Sequence, residues 1–370
     1  MVEYRNIKNV PQYVLGHGAL AATRELLRAC RQTRVAPSRS TVPIFVIDEF
    51  FGTGPGAAAL APLAIEVGDG VRFVSTVHEP TTDGVDHLMA DLRAAGHTAP
   101  CVIVGMGGGT TLDIAKAIAN LFTNPGRASD YQGWDLVQRP GIYKVGIPTI
   151  SGTGAESSRT CVLTNRETGL KLGMNSDHTL YDQLVLDPDL PATVERNQYF
   201  YTGMDAYIHC VESLAGRYRN PIGDALSAQT LSLCRRVFLD GDMMSSENRE
   251  RLMTASYLGG SAIATSFVGV VHPLSAGLSV VLGIHHCLAN CIVMSVMEEF
   301  YLDAWTEFQA MLAAQDVVIP SGVCADATDD QIARMCAAAM LHEKPLANAL
   351  GPDFRAILTP ARAAKLFRRM

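Results

Sequence analysis

The sequence predicts an α/β fold in which a parallel-sheet domain precedes an all-helical domain. Short β-branched runs alternate with helical patterns up to about residue 190, as in parallel strands joined by crossover helices. From about Pro191 onward, helix-forming residues recur at helical spacing without a clear strand pattern. Two prolines within residues 187–191 mark the expected hinge, so we predict domains at residues 1–190 and 191–370.

The elements of the first domain follow from these runs. Predicted strands cover residues 44–48, 71–77, 101–105, 144–148 and 184–186. Predicted helices cover residues 83–95 and 111–121. Residues 123–141 and 164–182 are rich in turn-forming residues, so we predict loops or a small hairpin there.

Composition limits the class of protein. A content of 48% hydrophobic and 18% charged residues, without an apolar run long enough to cross a bilayer, is typical of soluble globular chains. The net charge of -7 disfavours nucleic acid as a partner. The polar amino terminus lacks the apolar core of a signal peptide, and the nine cysteines include no C-x-x-C pair. We therefore expect a cytoplasmic protein with reduced thiols.

The segment CVIVGMGGGTTLDIAKAIAN (residues 101–120) points to a phosphate-binding turn. A buried strand runs into three glycines and then into a helix that begins near Thr110 or Thr111. Glycines let a ligand approach the backbone, and the free N–H groups at a helix start favour a phosphate. A tight turn that needs positive φ angles is the alternative, but one glycine would satisfy such a turn. We predict a Rossmann-like domain that binds the pyrophosphate of a dinucleotide.

Two further features fit a dinucleotide. Asp48 ends an earlier strand, where a carboxylate can accept hydrogen bonds from the adenosine ribose and repel a 2′-phosphate. This predicts NAD rather than NADP, unless Asp48 is only a turn residue at the strand end. PTISGTGAE (residues 148–156) is a second loop of glycines and hydroxyl residues, suited to the rest of the cofactor.

A metal site is the third prediction. Asp205 and His209 are four residues apart in a helical segment, so both project from one face. An isolated pair of this kind is more often a half-buried helix whose histidine is satisfied by a neighbour. His272, His285 and His286, however, lie in one largely apolar stretch of a chain with only 10 histidines. Imidazoles in such a stretch indicate a use for them.

Four motifs follow one another in order along the chain: GGGTTLDIAKAIA, PTISGTGAE, GMDAYIHCVE and the histidine segment. On these motifs the chain resembles the iron-containing, group III metal-dependent alcohol dehydrogenases over nearly its whole length. The resemblance implies a dehydroquinate synthase-like fold, an NAD(P) cofactor and a divalent metal held by one Asp and three His. It implies that the ligands, which are also the catalytic residues, are Asp205, His209, His272 and His286. The cofactor residues that it implies besides Asp48 are Gly107, Gly108, Gly109, Thr110, Asp113, Thr149, Ser151, Thr153 and Lys171.

The chain departs from the family at one position. Family members carry a second histidine four residues after the third metal ligand, and here that position is Ala276. Aligning His272 with that second histidine instead would put Val268 at the ligand position, and valine cannot bind a metal. His285, Tyr207 or a chain of waters therefore stays open as the proton relay.

The implied chemistry is the oxidation of an alcohol. A divalent cation acts as a Lewis acid on the substrate oxygen while NAD accepts the hydride. Nitrogen and carboxylate ligands suit both Fe²⁺ and Zn²⁺, so both remain open. We expect a small-molecule substrate, a homodimer, and no nucleic-acid or membrane partner.

Three stretches resemble the branch that contains 3-deoxy-D-manno-octulosonate 8-oxidase: residues 3–20, 275–291 and 341–351. The branch implies oxidation of a primary alcohol on a polar polyol or sugar acid to an aldehyde. Arg159, Lys171 and Lys344 are candidates for binding the carboxylate of such a substrate.

Three alternatives remain. A dehydrogenase for another natural-product or small alcohol is the first. A lyase such as dehydroquinate synthase is the second, although its metal set resembles Glu/His/His with many basic residues nearby, whereas this chain offers Asp205 and few basic residues near the histidines. A non-catalytic metal- or nucleotide-binding protein is the third, and a turnover assay separates it from an enzyme.

Overall fold

The computed structural model describes residues 7–32 and 41–370. These residues form two compact units, one of Lys8–Ile150 with Ala155–Thr193 and one of Val194–Met370 with Ser151–Gly154. The division near residue 193 lies close to the predicted hinge, but the grouping of Ser151–Gly154 with the second unit was not predicted. Residues 1–6, where the polar amino terminus and the 3–20 stretch begin, lie outside the described residues.

The described residues of the first unit form two sheets. Its strands are β1 Gln12–Leu15, β2 Ile44–Asp48, β3 Gly70–Val74, β4 Ile103–Gly107, β5 Gly133–Trp134, β6 Lys144–Pro148, β7 Val162–Asn165, β8 Leu170–Asn175 and β9 Gln183–Leu186. Six of them form a parallel sheet in the order β1-β9-β6-β4-β2-β3. The antiparallel hairpin β7–β8 pairs with β5 in a second, three-stranded sheet. The predicted parallel sheet and small hairpin are confirmed.

Two strand boundaries differ from the prediction for physical reasons. β3 ends at Val74 rather than at residue 77, because its partner β2 ends opposite it at Asp48. β4 continues to Gly107 rather than stopping at residue 105, because its last residues still pair with β6 up to Pro148. The first glycine of the predicted turn, Gly107, is therefore the last residue of β4, and Gly108 is the N-cap of the helix that follows. β1 and the first helix were not predicted.

The α-helices described beside this sheet are α1 Thr23–Gln32, α2 Thr82–Ala94 and α3 Gly109–Leu121. Short 3-10 helices occur at Ala19–Ala22, Glu49–Phe51, Gly54–Leu63, Ala128–Tyr131, Asp177–Thr179 and Leu190–Thr193. Alternate residues of β2 enter different cores, Ile44 and Val46 on one face and Phe45 and Ile47 on the other. A strand buried on both faces reads as a continuous apolar run, which is why its sequence predicted a parallel sheet.

The second unit is helical. Its helices are α4 Arg196–Ala215, α5 Pro221–Leu239, α6 Ser246–Ser266, α7 Val271–Leu282, α8 His286–Met294, α9 Leu302–Gln315, α10 Asp329–Met340, α11 Glu343–Leu350, α12 Phe354–Ile357 and α13 Pro360–Phe367. No strand occurs in the chain from residue 194 onward, all of which is described, and this confirms the all-helical prediction. α4 is the central helix, buried on most of its surface and in contact with α5, α6 and α8.

The structure bears on two general features, the state of the thiols and the presence of membrane-spanning helices. None of the nine cysteines forms a disulfide. Among the described residues, no single helix is both long enough and apolar enough to cross a membrane. Only the pair α6 and α7 meets that criterion jointly, with a bend of 105° between them.

Candidate active site

A buried carboxylate and imidazole start the site on α4. Asp205 and His209 are one turn apart on this helix, and His209 Nε2 lies 3.5 Å from Asp205 Oδ1. Their side chains are only 1% and 4% exposed. A charged carboxylate at such depth needs partners, because burial without them is costly.

Two further imidazoles reach the same carboxylate. His272 Nε2 lies 3.3 Å from Asp205 Oδ1, and His286 Nε2 lies 3.7 Å from Asp205 Oδ2. His272 is near the start of α7 and His286 begins α8. Gly283, in the left-handed conformation at φ 70°, ends α7 and lets the chain turn back toward the start of α8. We call Asp205, His209, His272 and His286 the metal cluster.

The metal cluster has the dimensions of a cation site. The ligand atoms of Asp205, His272 and His286 all lie within 4.8 Å of one another. Metal–ligand bonds of about 2.1 Å at tetrahedral angles place neighbouring ligand atoms about 3.4 Å apart. The distances of 3.3 to 3.7 Å from Asp205 to the three imidazoles match this spacing. The residues present therefore fit a divalent cation with one oxygen and up to three nitrogen ligands.

The electrostatics of the cluster also suit a cation. Burial alone would raise the pKa of Asp205, but His209, His286 and His272 together lower it well below its usual range. Burial lowers the pKa of His209 to about 4, so this imidazole is neutral and keeps a lone pair. Burial would likewise lower the pKa of His272, but Glu212 and Asp205 outweigh it and raise the pKa to about 9. A cation bound between these residues would therefore displace a proton from His272.

Sequence reasoning missed two members of the site. Glu212 accepts a hydrogen bond from His272 Nδ1 at 2.5 Å, and Asn290 Nδ2 donates to Asp205 Oδ1 at 2.7 Å. Both side chains are completely buried. The signal was available in the spacing, since Glu212 follows His209 by three residues and Asn290 follows His286 by four, each on the same helix face.

The three positions considered for proton transfer have different surroundings. Ala276, one turn after His272 on α7, presents a small buried side chain. His285 precedes α8 at its N-cap and is partly exposed. Tyr207 donates its hydroxyl hydrogen to Glu307 Oε2 at 2.6 Å, on α9. Two residues after Asp205, Tyr207 lies on another face of α4, which argues against it as the proton relay.

The first unit collects predicted cofactor residues at one edge of its sheet. β2, β4 and β6 are parallel neighbours, so Asp48, Gly107 and Thr149 all lie at carboxyl ends of strands. The Thr149 N–H donates to the Gly107 carbonyl at 3.0 Å. The chain runs from β2 out to β3 and returns as β4 on the opposite side of β2. In open α/β sheets ligands bind at such a reversal, and we call Asp48, Gly107–Thr110 and Thr149 the cofactor edge.

The three consecutive glycines are not a positive-φ turn. Gly107, Gly108 and Gly109 are all absent from the left-handed region. A Cβ on Gly107 would lie 2.5 Å from Thr111 Oγ1, so this glycine makes room for the first turn of α3. The alternative interpretation of these glycines as a tight left-handed turn is wrong, and the helix start after them remains suited to a phosphate.

Other predicted cofactor residues have partners within the first unit. Asp48 accepts hydrogen bonds from Phe50 N at 3.0 Å and from the Thr76 hydroxyl at 3.3 Å. Lys171 forms an ion pair with Glu79 at 3.0 Å.

Asp113 lies one turn into α3 and accepts a hydrogen bond from Val162 N at 2.8 Å. Burial raises its pKa to about 6, although Lys116 opposes that shift. The carboxylate therefore ties α3 to the start of the hairpin β7–β8.

Ser151 and Thr153 belong to the segment that groups with the helical unit. A Cβ on Gly152 would lie 1.6 Å from the Thr202 carbonyl oxygen, and one on Gly154 would lie 2.5 Å from Gly260 Cα. The glycines of this loop thus allow close contact with α4 and α6. Ser151 is buried, and its hydroxyl has no hydrogen-bond partner among the described residues.

The two remaining residues predicted to bind a substrate carboxylate, Arg159 and Lys344, have different surroundings. Arg159 is held by ion pairs with Asp135 and Asp177. Lys344, on α11, lies with Nζ 3.9 Å from the centre of the Phe267 ring and is exposed.

Comparison with known proteins agrees with this geometry. The family model of iron-containing alcohol dehydrogenase matches residues 11–188, and that of the carboxy-terminal domain of Fe-containing alcohol dehydrogenases matches residues 199–347. Sulfoacetaldehyde reductase from Bilophila wadsworthia is 34% identical over 57% of this chain and 54% of its own length. 4-Hydroxybutyrate dehydrogenase from Cupriavidus necator is 32% identical over 71% of this chain and 70% of its own length.

A solved structure shares the fold. Sulfoacetaldehyde reductase from Bifidobacterium kashiwanohense in complex with NAD⁺ has a TM-score of 0.76 at 20% identity and covers 99% of this chain and 98% of its own. The chain spans about half the length of most curated relatives that it matches. On the two family models and on the match to the 4-hydroxybutyrate dehydrogenase, the chain belongs to the iron-containing alcohol dehydrogenase family.

Proposed function

We propose that this chain is an NAD-dependent, metal-dependent alcohol dehydrogenase that oxidises a primary hydroxyl of a polar polyol or sugar acid to an aldehyde. The observation that carries the proposal is the convergence of Asp205, His272 and His286 in a chain of this family. Folding alone does not require three imidazoles around one buried carboxylate. Metal binding explains it.

The metal cluster would hold Fe²⁺ or Zn²⁺ through Asp205, His209, His272 and His286. A cation there would act as a Lewis acid and ease loss of the substrate's hydroxyl proton. The chain's own contribution is to hold the ligands in register, since Asn290 donates to Asp205 and Glu212 accepts from His272. We propose Fe²⁺ as the resident metal from the family, with Zn²⁺ as the alternative because the ligand atoms suit both.

The cofactor edge would bind NAD. The free N–H groups at the start of α3 suit a pyrophosphate, and Asp48 at the end of β2 favours an unphosphorylated ribose. The structural relative with bound NAD⁺ supports this choice. NAD bound there would accept the hydride from the alcohol carbon, and Lys171 would contact the nicotinamide ribose.

The substrate proposal rests on the small residue beyond His272 and on the negative charge of the compounds for which two relatives are named. Ala276 is a small residue one turn beyond His272, where a bulkier residue would limit substrate size. Gly277 adds no such space, because a Cβ there would lie 2.7 Å from the Met335 carbonyl oxygen and 3.0 Å from the Phe367 ring. Two relatives are named for sulfoacetaldehyde and 4-hydroxybutyrate, both small anionic compounds. We propose 3-deoxy-D-manno-octulosonate or a similar sugar acid, with exposed Lys344 as the first candidate for its carboxylate. A small anionic alcohol is the second candidate, favoured by those same names.

The setting of the enzyme is part of the proposal. The net charge of -7 and the absence of disulfides support a cytoplasmic protein without a nucleic-acid or membrane partner. A homodimer is proposed from the family resemblance, and light scattering of the purified protein measures it.

One assay tests the reaction and the cofactor together. Purified protein is incubated with a panel of primary alcohols, including 3-deoxy-octulosonate and 4-hydroxybutyrate, with Fe²⁺ or Zn²⁺ and either NAD or NADP, and the reduced cofactor is followed by absorbance. We expect turnover of the sugar acid with NAD. Turnover of ethanol or 4-hydroxybutyrate without the sugar acid would contradict the substrate proposal alone. Equal kcat/KM with NADP would remove the role of Asp48.

A further inference from the structure

We propose that Glu212 is a positioning residue whose carboxylate fixes the orientation and the tautomer of His272, so that Nε2 faces the cation. The inference rests on the proposed metal cluster, because it concerns how one of the ligands is held. Glu212 itself is not a ligand in this proposal.

Both carboxylate oxygens of Glu212 accept hydrogen bonds. Its Oε2 accepts from His272 Nδ1 at 2.5 Å, and its Oε1 accepts from the Val271 N–H at 2.5 Å. The Tyr301 hydroxyl also hydrogen-bonds this carboxylate. Glu212 is completely buried, so no water replaces these partners. One carboxylate thereby binds both the start of α7 and the imidazole that α7 carries.

These contacts decide where the His272 proton sits. An ionised carboxylate only accepts hydrogen bonds, so the ring nitrogen facing Glu212, Nδ1, must carry a hydrogen. Nε2 is then the nitrogen that faces the cluster, where Asp205 Oδ1 lies at 3.3 Å and Asn290 Nδ2 at 3.4 Å, and a bound cation would take the place of its proton. Carboxylates that hold the far nitrogen of a metal-binding histidine commonly raise metal affinity about 10–100-fold.

The sequence places this function on one helix face. Asp205, His209 and Glu212 follow one another at intervals of four and three on α4. Residues at these intervals form one stripe along a helix. The stripe thus supplies two direct ligands and the residue that holds a third.

A purely structural role for Glu212 is the competing explanation, since it also caps α7 through Val271. The two roles separate in Glu212→Gln. The amide keeps the size of the side chain and one acceptor oxygen, but its NH₂ cannot accept from the second donor. Either Val271 or His272 loses its partner, and His272 becomes free to turn or to change tautomer.

The experiment measures Zn²⁺ affinity of metal-stripped full-length protein by competition with a chromophoric chelator, alongside thermal unfolding. We expect Glu212→Gln to bind Zn²⁺ about 10–100-fold more weakly. Glu212→Asp, which restores an acceptor-only carboxylate, should recover part of the affinity. Tyr301→Phe should weaken binding less than Glu212→Gln, because it leaves the contact with His272 intact.

Gln315→Leu is the matched control for lost stability. Gln315 is buried in the same unit and donates to the carbonyls of Phe238 and Gly241, with no contact to the metal cluster. It should lower the unfolding temperature and leave the Zn²⁺ affinity within about twofold, because distant sites act independently.

The outcomes distinguish the two proposals. Failure of the unmodified protein to bind Zn²⁺ contradicts the metal cluster itself. Tight binding by the unmodified protein and equal binding by folded Glu212→Gln overturns the role of Glu212 alone. If Glu212→Gln does not fold, ¹⁵N NMR of histidine-labelled, Zn²⁺-loaded unmodified protein decides. A protonated Nδ1 on His272 is expected, and metal on Nδ1 overturns the inference.

Discussion

The metal cluster is built from side chains, whereas the cofactor edge is built mainly from backbone groups. In the cluster, side chains from α4, α7 and α8 converge on the buried carboxylate of Asp205. At the cofactor edge, strand ends and the start of α3 offer mainly backbone groups and small residues. The proposed metal binding depends on particular functional groups in the cluster. The proposed cofactor binding depends on the space that glycines, which have no side chain, leave at the edge.

This difference predicts different responses to mutation. Removing a functional group should abolish metal binding in the cluster while the helices stay folded. Adding a methyl group should disturb the cofactor edge, and the disturbance should depend on what the new atom meets.

The largest effect is expected for His272→Ala. The variant loses one proposed ligand of the cluster, which costs more than the loss of an outer partner, so metal affinity should fall by more than about 100-fold. Turnover should become undetectable. Elemental analysis and the NADH assay measure both.

His285→Ala is the matched control, since His285 neighbours His286 but is not one of the four ligands that the family resemblance implies. It should keep its metal content, whatever its turnover. Retention of both metal and activity by His272→Ala would show that the ligand assignment is wrong.

A second pair of variants tests the cofactor edge. In Gly107→Ala the new Cβ would lie 2.5 Å from Thr111 Oγ1, so we expect a loss of about 1–3 kcal/mol in the free energy of unfolding. In Gly108→Ala the nearest atom is Ile150 Cγ2 at 3.1 Å, so stability should change less. The methyl group would instead occupy space proposed for the pyrophosphate.

Gly108→Ala should therefore raise KM for NAD by about tenfold or more, equivalent to at least 1.4 kcal/mol of lost binding. Denaturant unfolding and steady-state kinetics separate the two effects. An unchanged KM in Gly108→Ala would contradict the proposed position of the pyrophosphate, while leaving the steric role of Gly107 untouched.

The same difference explains how much the sequence could predict. The parallel sheet, the helical second half and the pairing of Asp205 with His209 follow from periodicity, because spacing alone decides which side chains share a face. The chemistry of histidines in an apolar stretch pointed to the rest of the cluster. The resemblance supplied the choice of His272 and His286 over His285.

Other features depended on tertiary contacts that spacing does not contain. The end of β3 is set by the length of β2, and the close approach of Gly152 to Thr202 by helix packing. Asn348 is another example, since its buried side chain donates to the carbonyls of Ser266 and Val268, directly before the helix that carries His272. Nothing in the sequence of α11 marks this asparagine as a support for the site.

The smallest effect on catalysis is expected for Tyr207→Phe, which tests whether α4 presents only one chemical face. Tyr207 donates to Glu307, which Arg235 also holds, so removing the hydroxyl should lower the free energy of unfolding by about 1–2 kcal/mol. Tyr199→Phe is the control on the same helix, because the buried Tyr199 hydroxyl has no partner among the described residues and its loss should cost almost nothing. Both variants should keep kcat within about twofold of the unmodified enzyme. A tenfold fall in kcat for Tyr207→Phe alone, with full metal content, would return Tyr207 to the proton relay and show that chemistry extends to a second face of α4.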